Sequence, residues 1–157
     1  DGIRMDAISN AIYWQGDSSK GINDWAKENV KSNHLENETV RFLVDDVKKF
    51  VQREIRRGNK YDAIIMDPPS YGRGSNNEVW SIEKDLDGLL QSCKEILNDN
   101  FLFVCVNTYT ANLSLLTLEN ILKVHFNNNI KVDEIALPIE NSNLYLPCGI
   151  TGWITND

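Results

Sequence analysis

The chain has 157 residues and a formal net charge of −7, from 23 acidic and 16 basic side chains. This length suits one domain with a substantial core, and the acidic balance argues against a broad electrostatic surface for nucleic acid. The three cysteines are odd in number and widely spaced, which indicates neither a disulfide framework nor a zinc knuckle. This cysteine usage indicates a reducing compartment, so we expect a cytoplasmic protein. No apolar run approaches the roughly 20 residues that a bilayer span needs, so we expect no membrane partner.

Strand and helix patterns alternate along the chain. Apolar runs rich in β-branched and aromatic residues indicate strands, and apolar residues three or four apart indicate helices. The first ten residues are expected to form the tail of a helix. The pattern then predicts strands at residues 11–16, 40–44, 63–66 and 101–106, helices at 22–30, 47–55, 80–97 and 114–126, and a closing antiparallel hairpin of residues 130–137 and 144–153. This alternation is typical of an α/β fold, a mostly parallel sheet with helices on both faces, here in one domain over residues 1–157.

One stretch, residues 61–74, carries the clearest chemical signal. Its apolar run at 63–66 predicts a strand buried on both faces, and Asp67 stands where that strand ends. Two prolines follow and have no amide hydrogens, so the strand must stop and the Pro68 carbonyl has no strand partner. A carboxylate beside such a carbonyl can hold a planar amine and draw the nitrogen lone pair out of conjugation. Tyr71 can stack on a flat substrate such as a base.

Carboxylates close three successive predicted strands: Asp17, then Asp45 and Asp46, then Asp67. The carboxyl ends of parallel strands lie along one edge of a sheet, where ligands of α/β proteins bind. A carboxylate after one such strand can accept hydrogen bonds from ribose hydroxyls, and a carboxylate after the next can reach an adenine amine. Each aspartate alone is more readily explained as a helix N-cap. Three of them in register favour one nucleoside-binding cleft.

Several segments resemble a known family and cover nearly the whole chain in the family's order. The specific segment is Asp67-Pro68-Pro69-Ser70-Tyr71-Gly72, and residues 16–20, 25–29, 44–51 and 146–152 support it. On these segments, the chain resembles the catalytic domain of class I S-adenosylmethionine-dependent methyltransferases, which have a Rossmann-like fold. More narrowly, it is similar to the bacterial family related to the 23S rRNA cytosine and guanine methyltransferases.

This resemblance implies where the cofactor, S-adenosyl-L-methionine, would bind. Asp17, with Ser18 beside it, would hold the ribose hydroxyls. Asp46 would meet the adenine amine, with Asp45 as the alternate. The backbone amide of Val47 would reach a nitrogen of the adenine ring.

The resemblance also implies an acceptor site. Asp67, Pro68 and Tyr71 would form its loop, and Asp67 would border the cofactor as well. Methyl transfer would be in line and helped mainly by positioning, with no metal needed. Methylation of a pyrimidine carbon needs a thiolate, yet Cys105 lies on an apolar strand and is expected in the core, while the match at Cys148 is structural. We therefore expect a nitrogen acceptor in an RNA such as rRNA, with a protein amide as a compatible alternative.

The family carries a first strand and a glycine-containing loop ahead of the region that matches Asp1. The resemblance therefore implies that this central strand is missing from the sheet. The chain would be a fragment of a longer protein, would receive the strand from a partner chain, or would be a decayed homologue. A decayed homologue would act without cofactor as a binding or scaffold module, in a ribonucleoprotein for example. The retained aspartates and the intact loop at residues 67–74 favour a methyltransferase, whereas the absent glycine loop favours a decayed homologue.

Overall fold

The computed structural model describes residues 4–10, 18–73 and 78–156. The chain divides into two compact units, residues 1–50 with 72–79 and residues 51–71 with 80–157. The assignment of one catalytic domain to residues 1–157 stays a prediction.

The first unit contains a parallel pair of strands. β1 (Arg4–Asn10) pairs along its whole length with β2 (Thr39–Asp45), and α1 (Ser18–Ser32) lies between them in the chain. The helix tail predicted for the first ten residues is therefore wrong, because residues 4–10 are extended by their pairing with β2. The strand predicted at residues 11–16 lies outside the described residues.

Helix α2 (Val47–Arg57) follows β2 after a single residue and ends at a glycine. Gly58 has φ of +67°, a left-handed conformation that glycine adopts without strain. The Gly58 amide donates to the Ile55 carbonyl at 3.0 Å and the Asn59 amide donates to the Glu54 carbonyl at 3.1 Å. This pair of hydrogen bonds is a Schellman motif, which stops the helix and turns the chain toward the next strand.

The second unit is built on a four-stranded sheet in the order β3-β6-β8-β7. β3 (Ala63–Met66) is parallel to β6 (Phe103–Thr108), whereas β8 (Tyr145–Thr155) is antiparallel to both β6 and β7 (Asn129–Pro138). The predicted closing hairpin is confirmed. The predicted parallel neighbours are confirmed for β3 and β6, because a helix crosses over between those two strands.

The segment after β3 departs from the predicted pattern. β4 (Tyr71–Arg73) and β5 (Val79–Ser81) form a two-stranded sheet, and α3 (Ile82–Glu95) begins only after it. The predicted helix start at Trp80 is therefore two residues too early. The helix starts later because residues 79–81 pair with β4, and the Asp85 carboxylate accepts the Ser81 amide at 2.8 Å.

The core of the second unit lies between the sheet and two helices, α3 and α4 (Leu115–His125). Its most deeply buried apolar side chains are Ile82, Leu86, Leu90, Val104, Val106, Leu118, Leu122 and Ile154. Ser114 caps α4, since its hydroxyl accepts the Thr117 amide at 3.2 Å.

Among the described residues, no helix is both long and apolar enough to cross a membrane.

Candidate functional site

The predicted acceptor residues all lie in the loop that leaves the carboxyl end of β3. Asp67 follows the last residue of β3 directly and is exposed, and Pro68 behind it is buried. Tyr71 starts β4 with 54% of its surface exposed. The structure thus brings Asp67, Pro68 and Tyr71 into one short stretch at the edge of the sheet.

The backbone of this loop is anchored from the side of β5 and α3. The Trp80 indole nitrogen donates to the Pro69 carbonyl oxygen at 2.7 Å, and the Ile82 amide donates to the Ser70 carbonyl oxygen at 3.0 Å. In the part of the chain that the structure describes, the Pro68 carbonyl oxygen has no protein donor. Two of three consecutive carbonyls are therefore used by the fold, and the one beside Asp67 is left as an acceptor.

The carboxyl end of β6 adds a residue that the sequence reasoning missed. Tyr109 follows β6, the parallel neighbour of β3, and is 55% exposed. Partial burial raises the pKa of Tyr109, and a hydrogen bond from its hydroxyl to the Asp67 carboxylate and the charge of that carboxylate raise it further. The signal in the sequence was the position itself, three residues beyond the strand predicted at residues 101–106.

Cys105 lies on β6 opposite Ile65 of β3. It is only 5% exposed, and the prediction that Cys105 belongs to the core is confirmed. Burial raises the pKa of the Cys105 thiol, and the negative charge of Asp67 raises it further. The Cys105 thiol is therefore held protonated, which makes it a poor nucleophile.

In the first unit, the residues predicted to meet adenine lie between β2 and α2. Asp45 ends the strand, and its carboxylate accepts the Asp46 amide at 2.8 Å. Asp46 caps the helix: its Oδ1 accepts the Lys49 amide at 3.0 Å, and its carbonyl accepts the Phe50 amide at 2.8 Å. The N-cap interpretation is therefore correct for Asp46, and it leaves room for a second role, because a carboxylate has about four acceptor positions.

The Val47 amide is the first amide of α2, and the first four amides of a helix have no intrahelical partner. A carboxylate oxygen and an outward amide thus stand on adjacent residues. Lys49 lies beside them, with its Nζ 2.9 Å from Glu78 Oε1 and 3.8 Å from Asp46 Oδ2. The hydrogen bond to Glu78 and the charge of that carboxylate raise the pKa of Lys49.

The predicted ribose site is only partly described. Asp17 lies outside the described residues, and Ser18 is the first residue of α1. The role of Asp17 and Ser18 stays a prediction.

Known proteins show clear similarity to this chain, although no protein-family model matches it. Ribosomal RNA large subunit methyltransferase K of Neisseria meningitidis is 26% identical over 112 residues, which are 70% of this chain and 30% of that protein. Methyltransferase K/L of Legionella pneumophila is 29% identical over 118 residues, 74% of this chain and 16% of that protein. Methyltransferase I of Salmonella arizonae is 42% identical over 55 residues, 35% of this chain and 14% of that protein. The chain thus spans less than a third of the length of these relatives.

Solved structures agree with these relatives on the fold. The S-adenosylmethionine-dependent methyltransferase of Agrobacterium tumefaciens superposes with a TM-score of 0.81 at 25% identity, over 98% of this chain and 56% of that one. SMU.776, a protein complexed with S-adenosylhomocysteine, superposes with a TM-score of 0.70 at 24% identity, over 95% of this chain and 38% of that one. The chain therefore has the Rossmann-like α/β fold of S-adenosylmethionine-dependent methyltransferases and is related in sequence to the ribosomal RNA large subunit methyltransferases.

Proposed function

We propose that this chain is the catalytic part of an S-adenosylmethionine-dependent methyltransferase that modifies a nitrogen atom of an RNA base. The observation that carries this proposal is the acceptor pair at the end of β3. Asp67 is exposed next to a Pro68 carbonyl without a protein donor among the described residues, while the carbonyls of Pro69 and Ser70 are held by Trp80 and Ile82.

The acceptor pair suits an amine. An exocyclic amine of a base carries two N–H donors, and its nitrogen lone pair is delocalised into the ring. When Asp67 accepts one N–H and the Pro68 carbonyl accepts the other, the nitrogen is fixed and its lone pair is turned away from the ring. A positioned nucleophile converts a bimolecular transfer into an effectively unimolecular one. Tyr71, half exposed in the same loop, offers a ring on which the base can stack.

The first unit offers a hydrogen-bond acceptor and a hydrogen-bond donor that together fit adenine. The amine of adenine donates and its ring nitrogen accepts, which is complementary to the Asp46 carboxylate followed by the Val47 amide. We propose that these two residues hold the adenine of S-adenosyl-L-methionine, with Asp45 fixing the turn before them. Asp17 and Ser18 are proposed for the ribose from the sequence alone. When bound, the cofactor supplies an electrophilic methyl group.

The state of Cys105 argues against this residue as the nucleophile for a carbon acceptor. Methylation of a pyrimidine carbon requires a thiolate that adds to the ring. Cys105 is the thiol coupled to Asp67, and its burial and raised pKa keep it protonated. A nitrogen needs no covalent activation, so the site supports transfer to nitrogen.

RNA is proposed as the substrate because the curated relatives are named as ribosomal RNA methyltransferases. An enzyme of ribosomal RNA would act in the cytoplasm during rRNA processing.

The proposal is tested by incubating the chain with methyl-labelled S-adenosyl-L-methionine and deproteinised rRNA, then identifying the labelled nucleoside. We expect label in an N-methylated base, with transfer lost in Asp67→Ala and kept in Asp99→Asn, an exposed aspartate far along the chain. Label on a pyrimidine carbon would refute the nitrogen assignment. Equal transfer by Asp67→Ala would refute the site.

A further inference from the structure

Tyr109 and Asp67 follow the carboxyl ends of two neighbouring parallel strands. In the pairing of β3 with β6, Ile65 is opposite Cys105 and Met66 is opposite Val106. Asp67 comes directly after β3 and Tyr109 comes directly after β6, so both residues leave the sheet at the same edge. The coupling of both Cys105 and Tyr109 to the Asp67 charge agrees with this placement.

The backbone that carries Tyr109 is held by a close approach of β8. Gly149 has φ of +112°, and a Cβ there would lie 2.4 Å from the Thr108 carbonyl oxygen and 3.2 Å from the Tyr109 Cβ. Two residues along β8, the Thr151 hydroxyl donates to the Asn107 side-chain oxygen at 2.5 Å. The strand end that presents Tyr109 is therefore fixed by β8, and only glycine at position 149 permits it.

The same strand end leaves a buried polar group without a partner. Thr108 is 1% exposed, and its hydroxyl has no hydrogen-bond partner among the described residues. Such a group costs about 1–3 kcal/mol when it stays unsatisfied, and unsatisfied groups of this kind call for an explanation other than stability. The end of β6 therefore buries a polar group at a cost in stability.

Resting on the proposed function, we propose that Tyr109 is a positioning residue, whose hydroxyl holds one oxygen of Asp67 so that the other oxygen and the Pro68 carbonyl face the acceptor amine. A carboxylate on an exposed loop can rotate, and a single fixed donor removes that freedom. Tyr109 touches neither the amine nor the methyl group in this arrangement. Its hydroxyl can donate only while it is neutral, and the raised pKa of Tyr109 keeps it neutral at physiological pH.

A spectroscopic experiment tests the coupling directly. Alkaline titration at 295 nm follows tyrosine ionisation, and Tyr109→Phe identifies the step that belongs to Tyr109 among the five tyrosines. We expect Asp67→Asn to lower the pKa of Tyr109 toward its ordinary value of 10.0, and Asp99→Asn to leave it unchanged. An unshifted Tyr109 step in Asp67→Asn would overturn the proposal.

A second measurement, made at pH 7, serves if the chain unfolds at the high pH of the titration. The ¹³Cζ resonance of Tyr109 at pH 7 reports on hydrogen bonding of the phenol, and we expect it to move in Asp67→Asn. An unmoved resonance would also contradict the coupling. Neither readout requires cofactor or acceptor, so failure here would leave the proposed methyl transfer standing.

A kinetic comparison separates positioning from folding. We expect Tyr109→Phe to lower kcat for methyl transfer to deproteinised rRNA by about tenfold, the value of one charge-assisted hydrogen bond, with S-adenosylhomocysteine affinity unchanged. Tyr145→Phe, on an exposed part of β8, is the matched control and should keep kcat. An unchanged kcat in Tyr109→Phe would overturn the positioning role, whereas a wild-type chain without transfer would contradict the proposed function instead.

Discussion

The Trp80 indole nitrogen donates a hydrogen bond to the Pro69 carbonyl oxygen at 2.7 Å. This bond spans 11 residues and joins the loop after β3 to the start of α3. Trp80 is 5% exposed, so the bond is sheltered from water. It fixes the second of two consecutive proline carbonyls, whereas the first, that of Pro68 beside Asp67, has no protein donor among the described residues.

Replacing Trp80 by Phe removes this donor but keeps an aromatic ring in the core. The Pro69 carbonyl, in a part-buried position, then loses its partner, and we expect the free energy of unfolding to fall by about 1–3 kcal/mol. Urea denaturation measures the loss. Trp25→Phe, on the 67%-exposed tryptophan of α1, is the control and should change stability by less than about 0.5 kcal/mol. Equal stability of both variants would show that the indole bond does not anchor the loop.

A side chain at position 149 should disrupt the end of β6. In Gly149→Ala, the new Cβ would overlap the Thr108 carbonyl oxygen at 2.4 Å, and φ of +112° strains any residue but glycine. We expect a loss of more than about 2 kcal/mol in thermal or chemical unfolding.

Gly88→Ala provides the matched comparison. Gly88 lies inside α3, and a Cβ there meets nothing within 4 Å. Alanine is the better helix former by about 1 kcal/mol, so this variant should be as stable as the parent chain or more stable. A Gly149→Ala variant that matches Gly88→Ala would contradict the close approach of β8 to Thr108.

Glu54 makes the stability depend on pH. Its carboxylate is fully buried and accepts from Arg57 at 2.9 Å and from Asn59 and Tyr61 at 2.7 Å each. Burial alone would raise the pKa of Glu54, but these three donors and the charge of Arg57 outweigh it and lower the pKa below 4.5. A lowered folded-state pKa means that this stabilisation is present above pH 4.5 and is lost as the pH falls through the folded-state pKa.

We therefore expect Glu54→Gln to cost about 1–3 kcal/mol at pH 7, with the difference from the parent chain shrinking in acid. Unfolding midpoints measured from pH 7 downward test this expectation. Glu140→Gln, in the exposed turn between β7 and β8, should follow the parent chain at every pH. A Glu54→Gln penalty that stays constant down to the acid limit would show that the charge of Glu54 is not what stabilises the fold.

The three thiols should differ in reactivity. Burial raises the pKa of Cys93 to about 12, and Cys105 is buried with a raised pKa as well. Cys148 is only partly buried on β8. With a disulfide reagent at pH 8 we expect one fast thiol in the native chain and three after unfolding, and Cys148→Ser should abolish the fast phase. Fast native labelling of that variant would contradict the burial of Cys93 or Cys105.

Local chemistry made much of the fold predictable from sequence. The apolar run before Asp67, the helix stop at Gly58 and the closing hairpin follow from periodicity and from turn residues that act over a few positions. The first ten residues were misjudged because pairing with β2, a long-range event, decides their conformation. Residues 79–81 were misjudged for the same reason, since they form β5 and pair with β4 instead of starting the helix.

The candidate site was predictable where it lies on one loop and not where strands meet. Asp67, Pro68 and Tyr71 are close in sequence, so their motif was visible. Tyr109 comes next to Asp67 only through the pairing of β3 with β6, and the Trp80 bond to Pro69 depends on a turn of the chain. No spacing in the sequence encodes either relationship.

Asp46 caps α2 and is also proposed to bind the adenine amine, and two substitutions can separate these roles. Asn is as good an N-cap as Asp, whereas Ala costs about 1 kcal/mol. We expect Asp46→Asn to keep the unfolding midpoint and Asp46→Ala to lower it, because only alanine loses the bond to the Lys49 amide. If Asp46→Ala were as stable as the parent chain, the cap would contribute nothing to α2.

The most direct test of the central claim is calorimetric titration of the chain with S-adenosylhomocysteine. We predict micromolar binding that Asp46→Asn weakens more than about tenfold, or 1.4 kcal/mol, without loss of stability, and that Asp17→Ala weakens as well. Folded protein that gives no heat of binding, or an Asp46→Asn variant that binds as tightly as the parent chain, would contradict the assignment of a methyltransferase cofactor site to these residues.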